Sequence, residues 1–323
     1  MRVVVTGAAG FVGSHLCDEL VARGHEVVGI DGFTPFYARA LKELNVAALR
    51  GVRTFSLYER NLLDRIHGAA EGRPGLRPSL AGVLEGADAV CHLAGRPGVR
   101  GGAPVLFEAG NVRTTETVMH SAARAGVRRV LLASSSSVYG PAARPVREDA
   151  PLRPLSPYAR SKLRAELVAG RLARRHGLEL VTLRYFTVYG PRQRPDMAFA
   201  RFVRAALEGG EMPLLGDGRQ TRDFTYVGDA VEATAQALER ARPGSVYNVA
   251  GGRPLALADA LGLLGAALGC EPELAERPPD AREPRSTAAD IGRARRELGW
   301  EPRTPLELGL RRQAEHTAAL LAA

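Results

Sequence analysis

The chain has 323 residues, 45% of them hydrophobic and 24% charged, the balance of a globular protein of about two domains. Met1-Arg2 leads straight into the strand-like Val3-Val4-Val5, and no run of about 18 uncharged apolar residues occurs, so neither a signal peptide nor a membrane span is expected. Three scattered cysteines, Cys17, Cys91 and Cys270, leave no disulfide framework and no CxxC metal site; they suit a reducing cytoplasm. The 44 basic residues outnumber the 35 acidic ones, but only Lys42 and Lys162 are lysines and the arginines form no block, which argues against a nucleic-acid partner.

In chain order, short apolar strands are predicted at Arg2–Thr6, Glu26–Ile30, Thr54–Ser56, Ala89–Leu93, Arg129–Ala133 and Leu180–Tyr185. Helical patterns lie between them at Gly13–Arg23, Val112–Ala125 and Pro157–His176. This alternation predicts an α/β fold, a Rossmann-type doubly wound parallel sheet with helices on both faces. Segment 66–80, rich in Gly and Pro without a period, reads as an exposed loop insertion. After Tyr189 the chain turns to Gly/Pro-punctuated segments between shorter helices, which reads as a smaller, discontinuous carboxy-terminal part. The expected division is 1–187, with 224–250 returning to it, as dinucleotide-binding domain, and 188–223 with 251–323 as substrate domain.

The first strand runs into Thr6-Gly7-Ala8-Ala9-Gly10-Phe11-Val12-Gly13, a GxxGxxG that opens a helix. Glycine suits a tight turn at Gly7, a close approach of backbone amides to a pyrophosphate at Gly10, and helix–strand packing at Gly13. The phosphates would sit on the helix amino terminus. The second strand ends at Asp31, whose carboxylate can accept both ribose hydroxyls of adenosine and repels a 2′-phosphate, so NAD is the expected cofactor.

The fifth strand leads into Ser134-Ser135-Ser136-Ser137-Val138-Tyr139-Gly140, and Tyr158-Ala159-Arg160-Ser161-Lys162 opens a helix. Tyr158 and Lys162, four residues apart, share a helix face, where an ammonium favours the phenolate. Arginine cannot stand in for a compact ammonium that bonds a ribose while lowering a neighbour's pKa, so the retention of lysine here is informative.

Together TGAAGFVGSH, HLAG at 92–95, SSSSVYG, YARSK, LRYFTVYGPRQRPDM and GDGRQTRDFTYV make the chain resemble an extended short-chain dehydrogenase/reductase acting on nucleotide sugars. The resemblance covers essentially the whole chain. It implies Tyr158 as general base, Ser135 as proton bridge to the substrate hydroxyl, Lys162 as partner of phenol and ribose, and tightly held NAD as hydride store. It also implies cofactor contacts at Phe11, Val12, Asn61, Leu62, Leu93, Ala94 and Gly95, and a homodimer through helices near 112–125 and 157–176. Asn61 stands where relatives place Asp, and its carbonyl can accept the same bond. Gly95 stands where Ala is frequent, a difference expected to be without consequence.

Relatives that eliminate water or decarboxylate carry acids between Ser135 and Val138, where this chain has Ser136 and Ser137. A hydroxyl cannot do that acid work, which leaves epimerisation at C4 of a UDP-sugar through a 4-keto intermediate. The serine triplet, Thr187, Arg194 in GPRQRPDM, and DGFTPFYARALK resemble UDP-glucuronate 4-epimerases. By that resemblance Ser135, Ser136, Ser137 and Thr187 hold a sugar carboxylate and Arg194 guards it. Arg100 is a second candidate for the sugar pocket, Arg222 for the diphosphate and Glu283 for the uridine ribose, although DAREPR around it departs from the usual pattern. UDP-glucose or UDP-N-acetylglucosamine as substrate, a one-way oxidoreductase, and a non-catalytic NAD-sensing regulator are the alternatives.

Overall fold

The computed structural model describes residues 1–64, 79–98, 102–141, 145–270, 273–278 and 284–322. Its amino-terminal elements are β1 (Arg2–Thr6), α1 (Phe11–Ala22), β2 (Glu26–Asp31), α2 (Arg39–Asn45), β3 (Phe55–Glu59), α3 (Leu80–Leu84), β4 (Ala89–His92), α4 (Pro104–Phe107), α5 (Thr114–Arg124), β5 (Arg129–Ser135), α6 (Pro157–His176) and β6 (Glu179–Tyr185). There follow β7 (Val188–Tyr189), α7 (Ala198–Glu208), β8 (Met212–Leu215), β9 (Thr221–Asp223), β10 (Thr225–Tyr226), α8 (Val227–Arg240), β11 (Val246–Val249), β12 (Pro254–Ala256), α9 (Leu257–Leu268), β13 (Leu274–Arg277), α10 (Gly292–Leu298) and α11 (Leu306–Ala322). Among the described residues no helix is long and apolar enough to cross a membrane.

The main sheet is parallel, seven-stranded and ordered β11-β6-β5-β4-β1-β2-β3, the doubly wound architecture expected. β1 pairs with β2 on one side, Val3 opposite Val27, and with β4 on the other, Val3 opposite Ala89. The winding reverses between β1 and β4, and ligands of such sheets bind outside the carboxyl ends of the strands at that point. The carboxyl end of β1 carries the glycine loop and that of β4 carries His92-Leu93-Ala94-Gly95. Val3, Val4 and Val5 are fully buried, as a strand covered on both faces requires.

The chain divides into two compact units, the first made of 1–134, 157–183 and 234–246, the second of 135–156, 184–233 and 247–323. The first packs Val4, Val28, Ile30, Val90, Val118 and Leu132 into one core. The second gathers an aromatic core in which the Tyr189 ring meets the Phe199 ring edge-on at 5.6 Å. Buried carboxylates fasten its Gly/Pro-rich segments: Asp223 accepts the amides of Gly252 at 2.8 Å and Ala289 at 3.1 Å, and Asp229 accepts both the amide and hydroxyl of Thr304. Such bonds let segments without regular structure stay buried.

Three local expectations need correction. β3 starts one residue later and runs three further than the predicted 54–56. The helix predicted from Val112 is a π-helical turn, Glu108–Arg113, followed by α5. The predicted loop 66–80 lies outside the described residues through 78, but Ser79 caps a helix that starts at Leu80 by accepting the Gly82 amide at 3.0 Å. α6 coincides with the predicted Pro157–His176.

Candidate active site

Gly7 has φ +73°, and a Cβ there would lie 2.9 Å from the Ala94 nitrogen. A Cβ on Gly10 would come within 3.0 Å of the Gly7 carbonyl, and one on Gly13 would run into that same oxygen. No side chain caps α1 and its first turn holds no acid, so the amides at its start keep their field for an anion. Phe11 is buried, its ring edge-on to His15 at 6.1 Å, and Val12 is partly exposed.

Asp31 is buried at the end of β2, where one carboxylate oxygen accepts the Ala9 amide at 3.1 Å and the other the Phe33 amide at 2.8 Å. These bonds aim the carboxylate while leaving lone pairs for two hydroxyls. Asn61 turns its carbonyl onto the Leu63 amide at 3.0 Å, and Leu62 is buried in the core. Crowded glycines, an uncapped helix start and an aimed carboxylate together fit a dinucleotide.

At the end of β4 a directional hydrogen-bond chain begins. The Ala94 amide donates to Thr6 Oγ1, whose hydroxyl donates to His92 Nδ1 at 2.7 Å. Thr115 Oγ1 gives its proton to the Asn111 carbonyl at 2.7 Å and so accepts from His92 Nε2 at 3.2 Å. His92 is thereby a neutral imidazole protonated at Nε2, and burial, then the charge of Lys162, pushes it down to about 3.

Asn111 belongs to the π-helical turn, a feature often found at functional sites. Its Oδ1 accepts the Arg96 amide at 2.8 Å, and its Nδ2 donates to Arg96 O at 3.1 Å and to Ser161 Oγ at 2.8 Å. The Ser161 hydroxyl in turn donates to Tyr158 O at 2.7 Å. Sequence reading missed Asn111, because polar residues at the head of a predicted helix read as solvated ends. It also treated Gly95 as inconsequential; in fact a Cβ there would lie 2.7 Å from Asn111 Oδ1 and 3.6 Å from Lys162 Nζ.

Tyr158 and Lys162 stand on α6, the Tyr158 ring edge-on to Phe107 at 6.0 Å. Lys162 Nζ donates to the Ala133 carbonyl at 2.8 Å. Burial lowers Lys162 to about 8, against the opposing charge of Glu166. An ammonium has three protons, so two remain for a ligand and the phenol. The Lys162 ammonium near exposed Gly95, on the helix that also carries the Tyr158 phenol, offers groups able to bind hydroxyls and move a proton, while the neutral His92 imidazole is fully engaged in its hydrogen-bond chain.

In the second unit Ser135 Oγ accepts the Ser137 amide at 3.2 Å, which starts a 3-10 turn over Ser136–Val138. Ser137 Oγ is enclosed and has no hydrogen-bond partner among the described residues. Thr187 is partly buried, its carbonyl accepting the Thr225 amide at 2.9 Å. Arg194 forms a two-pronged pair with Asp196, at 3.0 and 3.1 Å. Arg222 donates to Thr221 O at 2.9 Å. Arg100 and Glu283 lie outside the described residues.

Residues 3–250 match the NAD dependent epimerase/dehydratase family. A Bacillus subtilis (strain 168) protein named "Uncharacterized UDP-glucose epimerase YtcB" is 36% identical over 328 residues, covering 99% of both chains. A UDP-glucuronate 4-epimerase of Thermodesulfobacterium geofontis (strain OPF15) is 32% identical over 315 residues, covering 96% of this chain and 94% of its own. Among solved structures, the UDP-glucuronic acid 4-epimerase from Bacillus cereus, in complex with UDP-glucuronic acid and NAD, superposes with a TM-score of 0.92 at 35% identity. That match covers 99% of this chain and 100% of the other. The chain belongs to the NAD dependent epimerase/dehydratase family.

Proposed function

We propose that the chain epimerises UDP-glucuronate at C4 to UDP-galacturonate through a 4-keto intermediate, with NAD held by the glycine loop, Asp31, Asn61, Leu62 and the Leu93–Gly95 turn. One observation carries the reading: an intact Tyr158–Lys162 pair is combined with serine at Ser136 and Ser137, where elimination or decarboxylation needs a carboxylic acid. Residues 1–187 with 224–250 are assigned to the dinucleotide, and 188–223 with 251–323 to the nucleotide sugar.

Tyr158 as phenolate takes the proton of the 4-hydroxyl, and the Ser135 hydroxyl shares that oxygen. NAD, when bound, supplies the acceptor that takes up hydride from C4 and gives it back. Lys162, fixed on the Ala133 carbonyl, favours the phenolate through its charge and has protons left for ribose hydroxyls. Tyr158 then returns its proton to the oxygen of the inverted centre.

Oxidation at C4 turns glucuronate into a β-keto acid, which loses CO₂ when the bond to its carboxylate aligns with the ketone π system. Ser135, Ser136, Ser137, Thr187 and Arg194 are assigned to holding the carboxylate in another orientation. Charge-assisted hydrogen bonds of this kind contribute about 1.5–3 kcal/mol each, enough to select a rotamer. The enclosed Ser137 hydroxyl, without a hydrogen-bond partner among the described residues, supports this assignment. Arg222 is assigned to the diphosphate, which suits its forked guanidinium.

An uncharged hexose is the second reading, favoured by the pairing of Arg194 with Asp196. Product NMR on a panel of UDP-sugars decides between the two: UDP-galacturonate from UDP-glucuronate, without net reduced nicotinamide, supports the first. Turnover confined to UDP-glucose or UDP-N-acetylglucosamine supports the second, and a UDP-pentose or a 6-deoxy-4-keto sugar overturns both. A cytoplasmic homodimer through α5 and α6 completes the proposal, supported by the 64% exposed Leu167 on α6 and tested by light scattering.

A further inference from the structure

Two residues of α6 one turn apart, Lys162 and Glu166, grip consecutive residues at the end of β5. Lys162 Nζ donates to the carbonyl of Ala133, and the hydroxyl of buried Ser134 donates to Glu166 Oε1. The next residue along the strand is Ser135. Nothing in the catalytic proposal above uses Ser134 or Glu166, yet their bond turns a carboxylate inward, along the helix face that carries Lys162.

The charged and titratable groups around Lys162 differ in what they can do for it. His92 comes from β4 and is neutral, its two nitrogens taken by Thr6 and Thr115. Tyr158 lies one turn back on α6. Glu108 of the π-helical turn is tied to Arg164 at 2.7 Å. Glu166 is anchored on Ser134, the strand residue next to the one that holds the ammonium, and it supplies the charge of opposite sign.

We propose that Glu166 is a positioning residue of this site: anchored by Ser134, its carboxylate keeps Lys162 an ammonium and locks α6 onto the end of β5. The inference rests on the roles given above to Tyr158 and Lys162. Lys162 needs such a partner because burial works against its charge, and Glu166 opposes that effect. A glutamine at 166 would keep the size and a hydrogen bond to Ser134 but remove the charge, so the structural and electrostatic parts of the role separate.

The composition makes the test direct, because the chain has only two lysines. Protein labelled with ¹³C at lysine Cε gives two side-chain signals, and Lys162→Met assigns them by removing one. Titrated without substrate, the Lys162 signal is expected to change at a pH lower by about one unit in Glu166→Gln than in the wild type. Glu166→Asp should restore most of the difference. Ser134→Ala, which keeps the carboxylate but removes this hold on it, should move the midpoint the same way by less. The alkaline limb of the turnover profile should follow the NMR midpoint in each variant. An unmoved or raised Lys162 midpoint in Glu166→Gln overturns the proposal. The titration needs no sugar, so a failed substrate assay would count against the proposed function and leave this inference standing or falling on the spectra.

Discussion

Gly95→Ala gives a prediction whose sign is opposite to the usual one. Gly95 does not have a positive φ, so an alanine there meets no backbone strain. Replacing glycine at an unstrained position ordinarily stabilises by about 0.4–1 kcal/mol, through the unfolded chain. Here the new methyl would lie 2.7 Å from Asn111 Oδ1, and the amide has to withdraw by about 0.7 Å to reach ordinary contact at 3.4 Å. The amide is planar and already holds the Arg96 amide, the Arg96 carbonyl and Ser161 Oγ, so its withdrawal strains all three bonds together. Losing one partner of a partly buried N–H costs about 1–3 kcal/mol, which outweighs the entropic gain and leaves a net loss of about 1 kcal/mol. Denaturant midpoints of wild type, Gly95→Ala, Asn111→Ser and the double variant should show the loss and a non-additive cycle, since the shorter side chain at 111 relieves the clash. A Gly95→Ala protein as stable as wild type or more so, with additive cycles, would refute the contact.

Tyr158→Phe should abolish turnover while NAD still copurifies with the protein; retained turnover would remove Tyr158 from the role of base. His92 binds its proton only near pH 3 when folded, against about 6.5 when unfolded, so it makes stability fall as pH drops from 6.5 towards 3, with a slope approaching 1.4 kcal/mol per pH unit. Denaturant melts of His92→Gln should show a shallower acid slope than wild type, and parallel slopes would contradict a neutral buried imidazole. Lys42→Arg should destabilise the protein by about 1–3 kcal/mol, because a larger planar cation has to enter the space where the Lys42 ammonium meets Thr34 O at 2.8 Å; a thermal melt superposable on wild type would exclude that packing.

What could be read from the sequence was whatever a local rule determines. The six predicted strands followed from apolar runs that a parallel sheet buries on both faces, and α6 from a proline at its start and a long amphipathic stretch after it. The glycine loop was legible because each glycine answers a separate steric demand. β11 was not, since Val246-Tyr247-Asn248-Val249 is too short to carry a period and joins the sheet only through its neighbour in space. Asn111 escaped for a related reason: it stands just before the predicted helix, in a π-helical turn that no local pattern announces, and its partners Arg96 and Ser161 lie 15 and 50 residues away. Gly95 looked interchangeable with alanine because its neighbour across the gap, Asn111, is set by that same turn.

The division between arginine and lysine now has a structural cause. On the surface arginine serves throughout, forking onto Glu59 from Arg39 or onto Glu208 from Arg204, where room is ample and a planar cation gains two bonds. The two lysines occupy the opposite situation. Each ammonium points at a single backbone carbonyl, Thr34 O for Lys42 and Ala133 O for Lys162, both at 2.8 Å, and burial lowers the pKa of each. A guanidinium there would have to fit five donors where the ammonium is held by one backbone carbonyl, and it could not give up its charge. The excess of positive charge is carried mostly by exposed arginines, with Arg184 a buried exception that donates to the Tyr139 hydroxyl and the Glu148 carbonyl, whereas both lysines are compact cations in buried surroundings. Lys42 packs beside the Asp31 loop; Lys162 stands one turn from Tyr158 on α6, where the proposed function calls on its proton.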